Sequence, residues 1–326
     1  MKKMINKISV QGLFYEGNLK LSKQYVNGKL SVLTSAPNSG ITNTCELKVI
    51  AGPRYGNKPD AKLNPNYPLY ESLMNTSNEK AYLHVGGQAQ GVNISGSLGA
   101  NYFVPRGTDL KRENVRCPLQ YDASFITFVD GSLLTPVDYK ATFETDIVIT
   151  SIVPEMSKPV DDTPAMETGN IFVKGYIFDY KGVAIEASFI AKATEDGSYG
   201  PVDYFTDLSS EFPVFTKIWG VINRFKVVSE KREESAFGAP KIVSFENTKK
   251  ELVITGALPQ PYPEGMITAE EFQESLQKRE IAIATALDRQ ITATATTSPA
   301  ANAPTGSANE FSSMFTGLTP GMSKVL

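Results

Sequence analysis

Residues 173–193 read VKGYIFDYKGVAIEASFIAKA. Val173, Gly175 and Ile177 fall on one side of an extended chain, and Lys174, Tyr176 and Phe178 fall on the other. Side chains of a strand point alternately to opposite faces, so this period of two indicates a strand and not a helix. Asp179-Tyr180-Lys181-Gly182 supplies a turn, with Gly182 free to take positive φ. A second run then places Val183, Ile185, Ala187 and Phe189 on one side. The stretch predicts a β-hairpin. It also raises a question, because one face of its first strand carries a lysine and two large rings.

The opening of this hairpin has an echo. Residues 8–16, ISVQGLFYE, and residues 171–179, IFVKGYIFD, share the pattern I-x-V-[QK]-G-x-x-[YF]-[DE]. The two copies lie 163 residues apart, a domain's length, and each opens a β-rich region. The echo reads as a duplicated first strand. In the first region the strand candidates are KISVQGLFY, KLSVLTS, CELKVIAG, AYLHVGG, SFITFVDG and ATFETDIVITSIV, with a short helix at YPLYESLMN. The segment SKPVDDTPAMETG has two prolines and no periodicity and reads as a linker. The second region offers the hairpin, then VDYFTDL, then PVFTKIWGVINRFKVV, then PKIVSF and ELVITGA flanking a turn at Asn247-Thr248-Lys249-Lys250. Short, regularly spaced strands with a glycine in the first suggest small barrels or sandwiches.

A helix follows. Thr268 stands as N-cap with Glu271 three residues later, a capping box, and Phe272, Leu276, Ile283 and Leu287 form one apolar stripe. Packing on the second barrel and oligomerisation are the two uses open to it. Residues 291–309 carry no charge and few large apolar groups, so they cannot offset their conformational entropy and read as disordered. The chain then regains Phe311, Met314 and Phe315, apolar anchors on a tether. Such a motif suits docking on a partner, and folding back on its own domain is the alternative.

Charge is unevenly placed. Residues 1–116 hold 15 Lys and Arg against 7 Asp and Glu, a balance of +8, whereas the whole chain is at −3. A basic segment on an acidic whole suggests a local anionic partner. No apolar run approaches the roughly 18–20 residues of a membrane helix. The N-terminal MKKMINKISV lacks an apolar stretch after its lysines, so a cytoplasmic protein is expected.

Catalytic patterns are missing. His84 is the single histidine, and it lies within the strand candidate AYLHVGG. Two scattered cysteines and one histidine do not make a zinc site. No G-x-x-x-x-G-K-[ST] loop occurs, and the glycines of HVGGQAQGVNISGSLGANYF read as bends in a strand pair. The expectation is a protein that is not an enzyme and takes no cofactor.

Aromatic rings interleaved with lysines have a use on single-stranded nucleic acid, where rings stack on unpaired bases and Lys or Arg neutralise phosphates. Tyr176, Phe178 and Lys174 make one such platform. Tyr15, with Lys20, Lys23 and Tyr25, makes a second. Arg54, Tyr55, Lys58 and Lys62 in one loop, and Arg106, Lys111, Arg112 and Arg116 in another, supply phosphate contacts. Burial of Tyr176 and Phe178 beneath a second layer, such as the helix after Thr268, is the competing reading.

The duplicated openings ISVQGLFYE and IFVKGYIFD resemble first strands of OB-fold barrels. The late strand PVFTKIWGVI after a short helical patch is similar to single-stranded DNA-binding proteins. The ending KELVITGA…ITAEEFQESLQKREI after two barrels resembles the replication-associated single-strand-binding proteins of phages and mobile elements of Gram-positive bacteria. The resemblance implies a mainly β fold with two OB-like β-barrel domains, at 1–156 and 170–266, joined by a linker at 157–169. A C-terminal helix at 267–290 and a disordered tail at 291–326 complete it. It implies single-stranded DNA as partner in replication or recombination, and a replication or recombination protein as partner of the tail motif. One departure stands out. Bacterial relatives of that kind end in a strongly acidic tail, whereas residues 291–326 carry only Glu310 and Lys324. A structural phage component, built from β-domains with no nucleic-acid role, is the alternative from a different class.

Overall fold

The structure, a computed structural model, describes residues 4–297 except 57, 59, 77–78, 158–163, 234–236 and 238–240. The tail motif Phe311, Met314 and Phe315 lies outside the described residues. Apolar alternation drives ten strands into one continuous sheet that closes on itself twice. In β1 (Asn6–Ser22), Ile8 and Val10 are fully buried while Lys7 and Ser9 face outward. The strand pairs with β2 (Tyr25–Leu33) and β4 (Gly91–Ala100). Strands β3 (Thr44–Ala51) and β5 (Leu119–Val129) complete a ring in the order β1-β2-β3-β5-β4-β1. β3 and β5 run parallel and every other pair is antiparallel. The helix α1 (Tyr67–Thr76) falls between β3 and β4, with a one-turn α2 (Tyr82–Val85) after it.

The second half repeats the plan. β6 (Lys140–Met156), β7 (Glu167–Phe178), β8 (Ala184–Ala191), β9 (Val214–Glu233) and β10 (Lys241–Ala257) close as β6-β7-β8-β10-β9-β6. Here β8 and β10 are the parallel pair, and α3 (Pro201–Leu208) stands where α1 stands in the first ring. Two five-stranded Greek-key barrels of this order are two OB folds. The core beneath them is one contiguous cluster, which runs from Ile8 and Val10 through Phe143 to Phe189. The Phe143 and Phe189 rings pack 5.1 Å apart.

The barrels are joined by their first strands. Residues Asn6–Gln11 of β1 pair with Thr145–Lys140 of β6. Farther along, β1 passes to β2 at Leu13 opposite Leu33, and β6 passes to β7 at Val148 opposite Tyr176. A glycine sits at each handover because the backbones come too close for a side chain. A Cβ on Gly12 would fall 1.8 Å from the Leu33 carbonyl oxygen, and one on Gly175 would fall 2.1 Å from that of Val148. The echo between residues 8–16 and 171–179 therefore reflects a shared steric need. It does not mark equivalent strands, since the counterpart of β1 is β6 and the second copy lies in β7.

Several expectations change accordingly. β6, placed in the first domain by the 1–156 boundary, is the first strand of the second barrel, and segment 157–169 joins β6 to β7 within that barrel. A run of proline and acid in the sequence does not by itself mark a domain boundary. Residues 130–139 carry the chain between barrels. AYLHVGG is not a strand. Tyr82 and Val85, three residues apart, turn one helical face onto Leu13, Leu33 and Ala89, so His84 sits exposed on α2. PKIVSF and ELVITGA form a single strand without a turn, Asn247 pairing with Val227 and Lys250 with Arg224. The glycines of GVNISGSLGA lie within β4.

The C-terminal helix α4 (Ala269–Thr297) begins at the expected capping box. The Thr268 N–H donates to the Glu271 carboxylate and the Glu271 N–H donates to the Thr268 hydroxyl, both at 3.2 Å. It continues through residues 291–297, where composition predicts disorder, because extending a formed helix costs far less than starting one. The hydroxyls of Thr292 and Thr294 donate to the carbonyls of Asp288 and Gln290, each at 2.9 Å.

Candidate nucleic-acid interface

In the first barrel, the outer face of β2 and β3 lies open. Inward residues Val26, Leu30, Val32, Leu47 and Val49 are buried, which leaves Asn27, Lys29, Lys48 and Ile50 on the outer side. Register sets them in two rows, Lys20–Asn27–Ile50 and Asn18–Lys29–Lys48. Phe125 on the adjacent β5 is 56% exposed. Lys29 bonds Glu46 at 2.9 Å, and Arg224 of the second barrel reaches the same carboxylate at 3.6 Å. Burial pushes the Glu46 carboxyl up, but the Lys29 bond and the Lys29 and Arg224 charges together bring it below the usual range.

Basic loops frame this face at both ends. At one end lie Lys20, near the end of β1, and Lys23 in the β1–β2 turn, which takes a left-handed φ of 57°. Tyr25 lies against Gly52, which brings the loop after β3 alongside. That loop is tied by Arg54, whose guanidinium donates to the Ala61 carbonyl at 2.7 Å, and it holds Tyr55, Lys58 and Lys62 outward. At the other end the β4–β5 loop carries Arg106, Lys111, Arg112 and Arg116, all exposed. Lys111 pairs with Asp109 at 3.2 Å and Arg112 with Glu280 of α4. The α4 residue Gln290 clamps the same loop by accepting from the Val104 N–H at 2.7 Å and donating to its carbonyl at 3.2 Å. Among the described residues, Lys20, Lys23, Lys58, Lys62, Arg106 and Arg116 form no ion pair.

The predicted stacking platforms do not form as expected. Tyr15 is half-buried and stacks on Tyr82, with centroids 6.1 Å apart and planes 21° apart. Phe178 is 1% exposed, so no base can reach it. Tyr176 and Phe178 both meet Phe272 of α4 edge-on, at 5.6 and 6.3 Å. The rings on the outer side of β7 are thus a seat for the helix, and only Lys174 of that trio is exposed. Arg279 of α4 bonds Glu186 of β8 at 3.3 Å beside them. The β7–β8 face, the counterpart of the open β2–β3 face, is therefore partly covered by α4 in the second barrel, with Lys174, Glu186 and Ser188 left exposed.

A further outward face lies at the seam between barrels. Trp219 of β9, the one tryptophan of the chain, is 38% exposed there. Its indole rests over Gly256 of β10, where a Cβ would fall 2.4 Å from Nε1 and Cε2. Lys217 holds its ammonium 6.0 Å from the Trp219 ring centroid and bonds Glu144 at 3.0 Å. Sequence reasoning missed Trp219. The signal was present in VFTKIWGVI, whose alternation sets the tryptophan on the side of Lys217, away from buried Thr216, Ile218 and Ile222.

Among the described residues, no three of His, Cys, Asp and Glu converge as a metal site requires, and no helix is long and apolar enough to cross a membrane. Buried Cys45 is pushed up to about 12 by desolvation, so its thiolate is not accessible near neutrality. Desolvation also raises the carboxyl of Asp146, although it accepts from the Ile5 N–H at 2.7 Å and the Tyr262 hydroxyl at 3.0 Å. These are structural groups, Cys45 within β3 and Asp146 on the outer side of β6 under the N-terminus and the segment before α4.

The assignment of two OB barrels rests on the strand order itself. Among solved structures, the chain is similar to a deletion mutant of the single-stranded DNA binding protein from Thermus aquaticus, with 10% identity and a TM-score of 0.41 over 82% of this chain and 100% of that one. A comparison with curated proteins finds no match. A family model, YorF, matches residues 11–288, a span that takes in both barrels and most of α4. The chain belongs to the YorF family.

Proposed function

We propose that the protein binds single-stranded DNA without sequence preference, through the open β2–β3 face of the first barrel. One observation carries this reading. The nine Lys and Arg residues from Lys20 to Arg116 picked out by sequence are all exposed, Lys20 near the end of β1 and the other eight in the connections that follow β1, β3 and β4. A strand laid across that face meets cations at both edges. Tyr55, 46% exposed, and Phe125 offer ring faces to unpaired bases. Stacking reads no base edges, so tolerance of sequence follows. A duplex hides its bases in the stack and offers no ring faces to Tyr55 and Phe125. A role in replication or recombination fits such an activity.

Anisotropy titration with a labelled oligo-dT of about 30 nucleotides, against a duplex of equal length, tests the proposal. Tighter binding to the single strand is expected, with log affinity falling against log salt by about 0.7 for each phosphate that the protein neutralises. Equal or tighter binding of the duplex sinks the reading.

A further inference from the structure

With α4 seated on Tyr176 and Phe178, the second barrel has part of the face that the first barrel leaves open covered by its own helix. Tyr180 and Tyr199 stand exposed in its loops, and on its strands a further exposed ring, Trp219, lies on β9. Trp219 is paired with Glu144 of β6, and the β6 register continues into β1, where Lys7 stands opposite Glu144. One row outward, Ser9 of β1 stands opposite Thr142. Lys7, Ser9, Thr142, Glu144, Lys217 and Trp219 line a groove of about 500 Å³ on the outer side of the seam. Its walls come from both barrels, so neither barrel alone could form it.

The chemistry of this groove is that of a nucleotide contact. A half-exposed indole lies over a glycine, where no side chain beneath it competes for position. Lys7 is exposed. Lys217 already balances the one carboxylate present, Glu144. The hydroxyls of Ser9 and Thr142 supply small polar groups between them. Burying a large indole would remove roughly 150–250 Å² from water, yet here 38% of the residue's surface is left to solvent beside the Lys217 ammonium.

We infer that this seam groove is a second binding site for single-stranded nucleic acid, taking an unstacked base on Trp219 and the adjoining phosphate on Lys7. The inference rests on the single-strand reading above and extends it to a surface shared by both barrels. On this reading a strand held on the first barrel continues onto the second through the seam.

The lone tryptophan makes the test direct. Full-length protein is titrated with oligo-dT of about 30 nucleotides, recording anisotropy of a labelled strand and intrinsic Trp219 fluorescence in parallel. Fluorescence quenching that saturates with the anisotropy change is expected. Trp219→Ala weakens binding about tenfold, whereas Trp219→Phe, which keeps a ring, weakens it less. Lys7→Ala flattens the salt dependence by about 0.7 in slope. Binding by anisotropy with unchanged fluorescence and an unaffected Trp219→Ala affinity overturns the seam site and leaves the single-strand reading standing. No binding by anisotropy overturns the reading itself and the seam site with it. Circular dichroism melts of the variants separate a failure to fold from a failure to bind.

Discussion

Arg112 in the β4–β5 loop and Glu280 on α4 form an ion pair that ties the first barrel to the helix seated on the second. The carboxylate occupies an arginine that a phosphate would otherwise meet. Both side chains are partly solvated, so the pair contributes well under about 1 kcal/mol to stability. Its effect falls on binding. Glu280→Gln is expected to tighten oligo-dT binding two- to threefold at low salt and to steepen the salt slope by about 0.7, as one more cation becomes free. Titrations of wild type and variant at several salt concentrations check this, and an unchanged slope would mean that Arg112 stays off the strand.

Tyr176 and Phe178 pack edge-on against Phe272 of α4, which assigns them to the helix seat. Phe178→Ala is expected to cost about 3 kcal/mol of stability, and Tyr176→Ala about 1 kcal/mol beyond its buried area, because each removes a ring that packs edge-on against Phe272. Oligo-dT affinity of the folded variants stays within twofold of wild type. Calorimetric melting and anisotropy on the same samples measure both quantities. A variant that melts normally yet binds weakly would return these rings to the interface.

Gly12 and Gly175 hold the points where each first strand changes partner. Alanine at either position drives a Cβ into a carbonyl oxygen, so Gly12→Ala and Gly175→Ala are each expected to destabilise by roughly 1–3 kcal/mol or more. Gly87, with open space around its Cα, provides the control, and Gly87→Ala leaves the urea midpoint in place. Equal midpoints for all three would show that the handover tolerates a side chain.

Cys45 is expected to resist alkylation. Its side chain is fully buried and burial raises the thiol to about 12, so the reactive thiolate is scarce at pH 7–8. Cys117 is partly exposed and also raised by desolvation, so it reacts slowly and ahead of Cys45. Mass spectrometry after timed iodoacetamide treatment should show one modification in the native protein and two in urea. Rapid double labelling of native protein would contradict the packing of β3.

The alternation in residues 173–189 and the capping box at Thr268 were legible because each depends on neighbours in sequence. What covered Tyr176 and Phe178 was not legible. A period of two separates the faces of a strand, but it does not say which element of the chain will lie on either. The stripe Phe272, Leu276 and Ile283 announced a helix with something to pack on, and both candidate seats fitted it. AYLHVGG misled because a four-residue turn gives too few positions to tell a period of three from a period of two. The basic loops were found by charge alone, since solvated cations need no partner to specify them. Trp219 escaped because its exposure depends on Gly256, far along the chain on the facing strand.

The ladder between Asn6–Gln11 and Thr145–Lys140 leaves no swivel between the two halves of the molecule. Proteins that string barrels on flexible tethers can adjust the reach between them, and their grip on a polymer grows smoothly with its length. Here backbone hydrogen bonds set the interval between the two surfaces as firmly as they set the spacing of strands within a sheet. On the proposed reading of the two surfaces the molecule acts as a ruler: an oligonucleotide either spans that interval or falls short of it. Affinity plotted against chain length should therefore rise in a step, at the one length that first touches both Phe125 and Trp219.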